Sequence, residues 1–189
     1  MVISRGIYFT ILAALVVERI VELWLSNRNA RLAFARGGIE LGRGQYRIIV
    51  ASHALFIAAC AAGAMRYATS APPALSTLAL AGEAVAQALR YWSVATLGQK
   101  WNTRVIVTPG EAPVTGGPYR YIRHPNYAAV ALEIVCVPLI RGLVIVATVF
   151  STANALLLAS RIRLEERALG QPYQIAFASR PRFIPSIVR

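Results

Sequence analysis

Four long apolar windows constrain this chain more than any other feature: Ile3 to Leu25, Ile48 to Ala68, Ala74 to Leu97, and Tyr127 to Ser160. A helix rises about 1.5 Å per residue, so roughly 20 residues cross a 30 Å hydrocarbon layer. The first three windows suit one crossing each. The fourth, at about 35 residues, is too long for one crossing and too short for two full ones. Pro138, Arg141 and Gly142 interrupt it, so a tight helical hairpin is expected there. The expected fold is an all-α integral membrane protein with about five transmembrane helices, helices 4 and 5 forming the hairpin. It forms one domain over 1–189, with three helices in 1–97 and a loop, the hairpin and a tail in 98–189. Charged residues make up 15% of the chain, against about 25% in a typical soluble domain, which leaves little material for a soluble core.

The first window could pass for a signal peptide, but it is too long, carries Glu18, Arg19 and Glu22, and lacks a small-residue cleavage pattern. It is expected to be retained. Net charge is +12, which raises the question of nucleic acid. The distribution argues otherwise, because sixteen of the twenty Lys and Arg residues fill or flank the first loop, the third loop and the tail. By the positive-inside rule the N-terminus is expected outside and the tail in the cytoplasm. The same basic excess suits anionic lipid headgroups. Cys60 and Cys136 each lie alone in an apolar helix, so they are expected as small core residues, with no metal site.

The first loop, "SNRNARLAFARGGIELGRGQYR", is expected to lie along the cytoplasmic interface. "APP" at 71–73 should make a short outer turn. The third loop, Gly98 to Pro125, is the longest stretch without a hydrophobic period. The tail should extend helix 5 and end irregularly in "RPRFIPSIVR", where two prolines exclude a regular helix. Polar density therefore gathers on one face of the membrane, and a site should open to the cytoplasm.

Within "GPYRYIRHPNYAAV", Pro125 suits the first helical position and His124 the N-cap. The free N–H groups and positive dipole end of helix 4 would seat a carboxylate or phosphate. Arg123 and His124 add donors, and Tyr119, Tyr121 and Tyr127 add aromatic faces. An interfacial belt of Tyr and Arg accounts for the tyrosines equally well, though not for His and Pro together at a helix start. In "SRIRLEERAL", Arg161 and Glu165 are one turn apart on a face that runs back to Leu158 and Asn154, which favours a buried role. Glu166 lies on another face, where pairing with Arg163 at a solvated helix end is the simpler expectation. Glu83, Gln87 and Arg90 form a stripe on helix 3, and Glu18, Arg19 and Glu22 can pair on helix 1. Both groups suit interhelical pairing or self-association. Glu133, two turns into helix 4, has no evident role, and His53 reads as a satisfied interior histidine.

"TGGPYRYIRHPNY", followed about forty residues later by "EERAL" and then "PRFIP", resembles the isoprenylcysteine carboxyl methyltransferase family and, more loosely, the membrane phospholipid methyltransferases. The likeness spans Gly98 to Pro185. "LGQKWNTRVIVTPG" is similar to bacterial members associated with type III polyketide lipid pathways. The resemblance implies an S-adenosylmethionine-dependent methyltransferase in a bacterial plasma membrane. Its acceptor would be a carboxylate or hydroxyl of a lipophilic molecule, such as an isoprenylcysteine, alkylresorcinol or alkylpyrone. Carried over, it implies that Val114, Tyr119, His124, Pro125, Asn126, Tyr127 and Glu165 line the cofactor pocket, with Arg104 near the adenosine and Arg161 facing the acceptor. The tail departs from the family in lacking a glutamate and a second tyrosine before the arginine. Membrane sterol and steroid reductases carry a similar "RHPNY" stretch but use NADPH, and a non-catalytic membrane scaffold would bind neither cofactor. "EERAL" favours the methyltransferase.

Overall fold

The computed structural model describes residues 3–67 and 71–184. Five α-helices carry the described chain: α1 (Arg5–Ala35), α2 (Arg43–Arg66), α3 (Pro73–Leu97), α4 (Pro125–Leu139) and α5 (Val144–Ala176). Short 3-10 turns lie at Gly98–Lys100 and Gly117–Arg120. Two three-residue strands were not expected: β1 (Ile39–Leu41) pairs antiparallel with β2 (Val105–Val107), Ile39 opposite Val107 and Leu41 opposite Val105. Strand β1 follows the Gly37–Gly38 break, and two segments read from the sequence as loops close on each other through backbone hydrogen bonds.

The first loop differs most from expectation. Helix α1 continues past Leu25 to Ala35, because "SNRNARLAFA" holds no Gly or Pro and is rich in helix-tolerant Arg, Leu and Ala. Ser26 and Asn29, which would cap or turn an isolated chain, instead bond to a distant segment. The Ser26 hydroxyl meets Asn102 Oδ1 at 2.8 Å and Thr103 Oγ1 at 2.7 Å. Asn29 Nδ2 donates to the carbonyls of Gly98 at 3.1 Å and Trp101 at 2.8 Å. The amphipathic surface loop is therefore a helical extension that anchors residues 98–103. Helix α2 likewise starts at Arg43, before its apolar window.

Helix α4 stops at Leu139, where Pro138 sits in its last turn, and Gly142 (φ 74°) turns the chain into α5. Helix α4 packs against both α3 and α5. The α3–α4 contact is close because of Gly82: a Cβ there would lie 2.5 Å from Cys136 Sγ. Small residues allow this approach between apolar helices. Cys60 and Cys136 are buried free thiols, as expected. The core joins Tyr8, Leu12 and Leu15 of α1 to Phe56 and Cys60 of α2, Ala79 of α3, and Val130, Ile134 and Val137 of α4. Helix α5 runs on as expected, breaks at Gly170 (φ 66°), and continues past Pro172 to Ala176. Residues 181–184 are non-helical. Pro185 of the "PRFIP" motif lies outside the described residues.

Helices α2 and α5 are long and apolar enough to cross a membrane. Large apolar side chains also face outward elsewhere, including Val17, Val21 and Trp24 on α1 and Leu78, Val85 and Trp92 on α3. A soluble protein rarely leaves so much apolar surface in the open.

Candidate active site

The start of α4 is built as expected in outline and differently in detail. Pro125 is the first helical residue and His124 the cap residue, but the His124 side chain caps nothing. Its Nε2 instead donates to Glu166 Oε1 at 3.0 Å. The backbone N–H groups of Arg123 and His124 are also taken, by the carbonyls of Pro181 at 2.9 Å and Arg182 at 3.1 Å. The tail folds back over the helix start, and the helix N–H groups left for a ligand are those of Asn126 and Tyr127. Pro125 itself is fully buried and shapes the turn without lining the cavity.

Glu166 holds this arrangement. It receives Arg182 through Nε at 3.0 Å and Nη2 at 2.6 Å, besides His124. It does not pair with Arg163 as the sequence suggested, because the returning tail brings a bidentate arginine to the same carboxylate. Hydrogen bonding from Arg182 pulls the Glu166 carboxyl down to about 2, against a desolvation cost; His124 assists. Tyr119 lies in the turn at Gly117–Arg120, packed with Tyr173 and Phe177. Burial, and then the charge of Glu165, raise both the Tyr119 and Tyr173 phenols well above their ordinary value, so both remain O–H groups at neutral pH.

Arg161 and Glu165 share a face of α5 as expected, yet they do not bond each other. Both reach Tyr127: its hydroxyl donates to Glu165, and Arg161 Nε approaches the same hydroxyl at 3.4 Å. Arg161 Nη2 donates to the Thr103 carbonyl at 2.7 Å. A buried chain of polar contacts thus ties residues 98–105, the first turn of α4 and the end of α5 together. Arg104 points toward α1 and α2, donating to Asn27 Oδ1 at 2.7 Å and stacking over Tyr46 at 5.4 Å.

These groups surround one cavity of about 850 Å³. Arg104, Val114, Tyr119, His124, Asn126, Tyr127, Arg161 and Glu165 all line it. Of the expected site residues only Pro125 does not. The volume lies within the roughly 300–1,000 Å³ usual for cofactor and ligand sites. Trp101, Tyr173 and Phe177 line it as well and were missed by sequence reasoning. Tyr173 follows a Gly-x-Pro break that was visible, whereas Trp101 stands in a loop motif with no spacing to mark it. The cavity also has an apolar limb between α1 and α2, bounded by Val16, Ile20, Leu23, Ile49, Val50 and Ile57.

Arg19, Glu22 and Arg90 form another part of its wall. Arg90 donates to Glu22 at 3.2 Å and Glu133 at 2.8 Å, and lies 3.7 Å from Glu18. Arg19 bonds Glu22 and reaches Glu133 at 3.0 Å. Gln87 bridges Glu83 at 2.7 Å and Glu133 at 3.2 Å. The charged groups of helices 1 and 3 pair between helices, and Glu133 is the residue on which they converge.

A family model for isoprenylcysteine carboxyl methyltransferases (ICMT) matches residues 78–171. The uncharacterized protein YpbQ of Bacillus subtilis is 36% identical over 169 residues, 89% of this chain and 99% of its own length. An uncharacterized protein of Haemophilus influenzae is 25% identical over 158 residues, covering 83% of this chain and 91% of its own. The chain belongs to the ICMT family. The family and the two long apolar helices together mean a membrane methyltransferase.

Proposed function

We propose that the chain is an S-adenosylmethionine-dependent O-methyltransferase acting on a lipophilic acceptor. The observation that carries this reading is a single cavity lined by polar groups at the α4 start and by apolar side chains between α1 and α2. A charged, water-soluble donor and a lipid acceptor must meet, and such a cavity admits both. The residues present fit the donor. Asn126 Oδ1 is buried without a partner, and Glu165 supplies an anion for a ligand carrying ammonium and sulfonium charge. The free Asn126 and Tyr127 N–H groups suit a carboxylate at a helix N-terminus. Val114 and the aromatic faces of Tyr119 and Tyr173 suit a purine, and Arg104 and His124 line the same cavity.

S-adenosylmethionine supplies an electrophilic methyl group on sulfonium. The protein aligns the acceptor and excludes water, which is most of what a displacement at methyl requires. Tyr127 fixes the Glu165 carboxylate, and Arg161 supports negative charge on the acceptor oxygen. A carboxylate acceptor, such as an isoprenylcysteine, needs no base. A hydroxyl of the alkylresorcinol or alkylpyrone kind, with a phenolic value near 10, gains from a fixed cation.

In the same reading five helices cross the membrane, α4 and α5 as a hairpin, with the N-terminus outside and the site facing the cytoplasm. Outward apolar side chains on α1 and α3 support the higher count, and the clustering of Lys and Arg supports the orientation. A reporter fused after residue 189 should be active in the cytoplasm; activity only outside sinks the orientation. Equilibrium binding of labelled S-adenosylmethionine, run beside NADPH in neutral detergent, tests the function. Saturable binding of the first alone is expected. Binding of NADPH alone, or of neither, sinks it. Lipids from cells with and without the gene should then differ by one methyl group in mass.

A further inference from the structure

Four cavity-lining side chains, Arg90, Trp101, Arg104 and Arg161, are left with a buried N–H and no acceptor, and two of them, Trp101 and Arg161, are tied to the same short segment of chain. Trp101 is 2% exposed and its Nε1 has no partner. Arg161 is also 2% exposed; its Nε and Nη2 are engaged, but Nη1 has no partner. The two are linked through Thr103, whose carbonyl receives Arg161 Nη2 two residues along from Trp101. Trp101 is held in place from α1, since Asn29 Nδ2 grips its carbonyl. A buried donor without an acceptor costs roughly 1–3 kcal/mol, so a protein that keeps two on one cavity wall is incomplete without a ligand atom there.

The pair selects a chemical class. Indole N–H only donates, and guanidinium only donates and is always cationic. A ligand atom between them must accept hydrogen bonds and gains from negative charge. An amine or ammonium headgroup would meet donors and a like charge. The limb bounded by Val16, Ile20 and Ile49 is lined by hydrocarbon and suits an apolar chain rather than a polar body.

We propose that Trp101 is an acceptor-binding residue which, with Nη1 of Arg161, forms a two-donor seat for an anionic oxygen (carboxylate, phenolate or enolate) at the head of a lipid acceptor. This rests on the methyltransferase reading for its biological meaning and excludes amine-headed lipids as acceptors. The seat belongs to the acceptor and not to the donor cofactor.

The test reads the indole N–H of Trp101 directly, without turnover. In protein labelled with 15N at tryptophan, Trp24→Phe and Trp92→Phe, both outward-facing positions, assign the remaining indole signal to Trp101. Dodecanoate should shift that signal saturably, while dodecylamine and dodecanol should not. Trp101→Phe should weaken dodecanoate binding roughly ten- to hundredfold, as expected for a lost hydrogen bond to a charged group. Its affinity for S-adenosylmethionine should change less than about twofold. An equal response to dodecylamine overturns the chemical class. A shift produced by S-adenosylmethionine itself, with cofactor affinity lost in Trp101→Phe, overturns the assignment to the acceptor. No shift with any probe overturns the seat altogether. The wild-type titration decides even if Trp101→Phe fails to fold. Absence of S-adenosylmethionine binding in the wild-type protein would sink the methyltransferase reading by itself, and the dodecanoate response would still decide the donor pair.

Discussion

The two halves of the cavity wall are made differently. Around the start of α4, side chains and backbone from residues 98–105, α4, α5 and the returning tail are cross-linked by hydrogen bonds spanning up to 58 residues of sequence, as in Arg161 to Thr103. Between α1 and α2 there is little such bonding, the contacts are few, and half-exposed Val16, Ile20 and Val50 line the space. Polar groups need partners at fixed angles, so a site for a polar molecule must be rigid. A hydrocarbon chain has no directional demand and needs only an apolar opening. The contrast teaches that the fold separates precision from access, and the boundary between the two regimes is the Arg19–Arg90–Glu133 cluster.

The largest effect should come from breaking that boundary. Arg90→Met leaves Glu22 and Glu133 without their main cation in a buried setting, and removal of one partner of a buried pair costs about 3–5 kcal/mol. Protein yield and thermal stability should collapse, measured by thermal unfolding in detergent. A stable Arg90→Met protein would mean that the cluster is not what holds α1, α3 and α4 together.

Next come changes in the rigid half. Glu165→Gln should weaken S-adenosylmethionine binding roughly ten- to hundredfold, the worth of a charge-assisted bond of about 1.5–3 kcal/mol. Arg161→Ala should leave cofactor affinity nearly intact and depress turnover with the lipid. Titration of cofactor without acceptor, followed by a methyl-transfer assay, separates the two. Reversed outcomes would exchange their roles.

The open half should respond in the opposite way. Ala54 lines the apolar limb at an exposed position, so Ala54→Trp costs little stability, within about 0.5 kcal/mol. It should nevertheless raise KM for a long-chain acceptor about tenfold, a change of roughly 1.4 kcal/mol, with cofactor binding unchanged. An unchanged KM would move the lipid path elsewhere.

Much of the rigid half was legible because its signals are local. Pro after His at a helix start, and Arg161 with Glu165 one turn apart, are patterns that backbone geometry obliges. What was not legible depends on chain return. Nothing near Glu166 announces that Arg182, sixteen residues later, will reach it, so Arg163 was the reasonable partner. Ser26 and Asn29 looked like loop residues because their acceptors lie some seventy residues away. The β1–β2 pairing was hidden for the same reason, since strands of three residues carry no readable period. Glu133 lacked a role until three helices were brought together around it.

The smallest effect expected is on the tail clamp, and pH exposes it. Glu166 is held down to about 2 by Arg182 and His124, against an ordinary value of 4.5. A carboxyl whose folded value is depressed stabilises the folded arrangement fully above its unfolded value, and that contribution is lost as pH falls through the folded one. The clamp should therefore be closed above about pH 4.5 and loosen progressively toward about 2. Arg182 is largely exposed, so solvent screening limits the effect to under about 1 kcal/mol, enough to free the tail without unfolding the helices. Hydrogen exchange at the Arg123 and His124 amides, corrected for the intrinsic pH dependence, reports the opening because both amides donate to the tail. Glu166→Gln should show fast exchange at every pH. If the wild-type amides stay protected at pH 2, or if Glu166→Gln protects them as well as the carboxylate does, the tail is held by its backbone bonds and the ion pair is incidental.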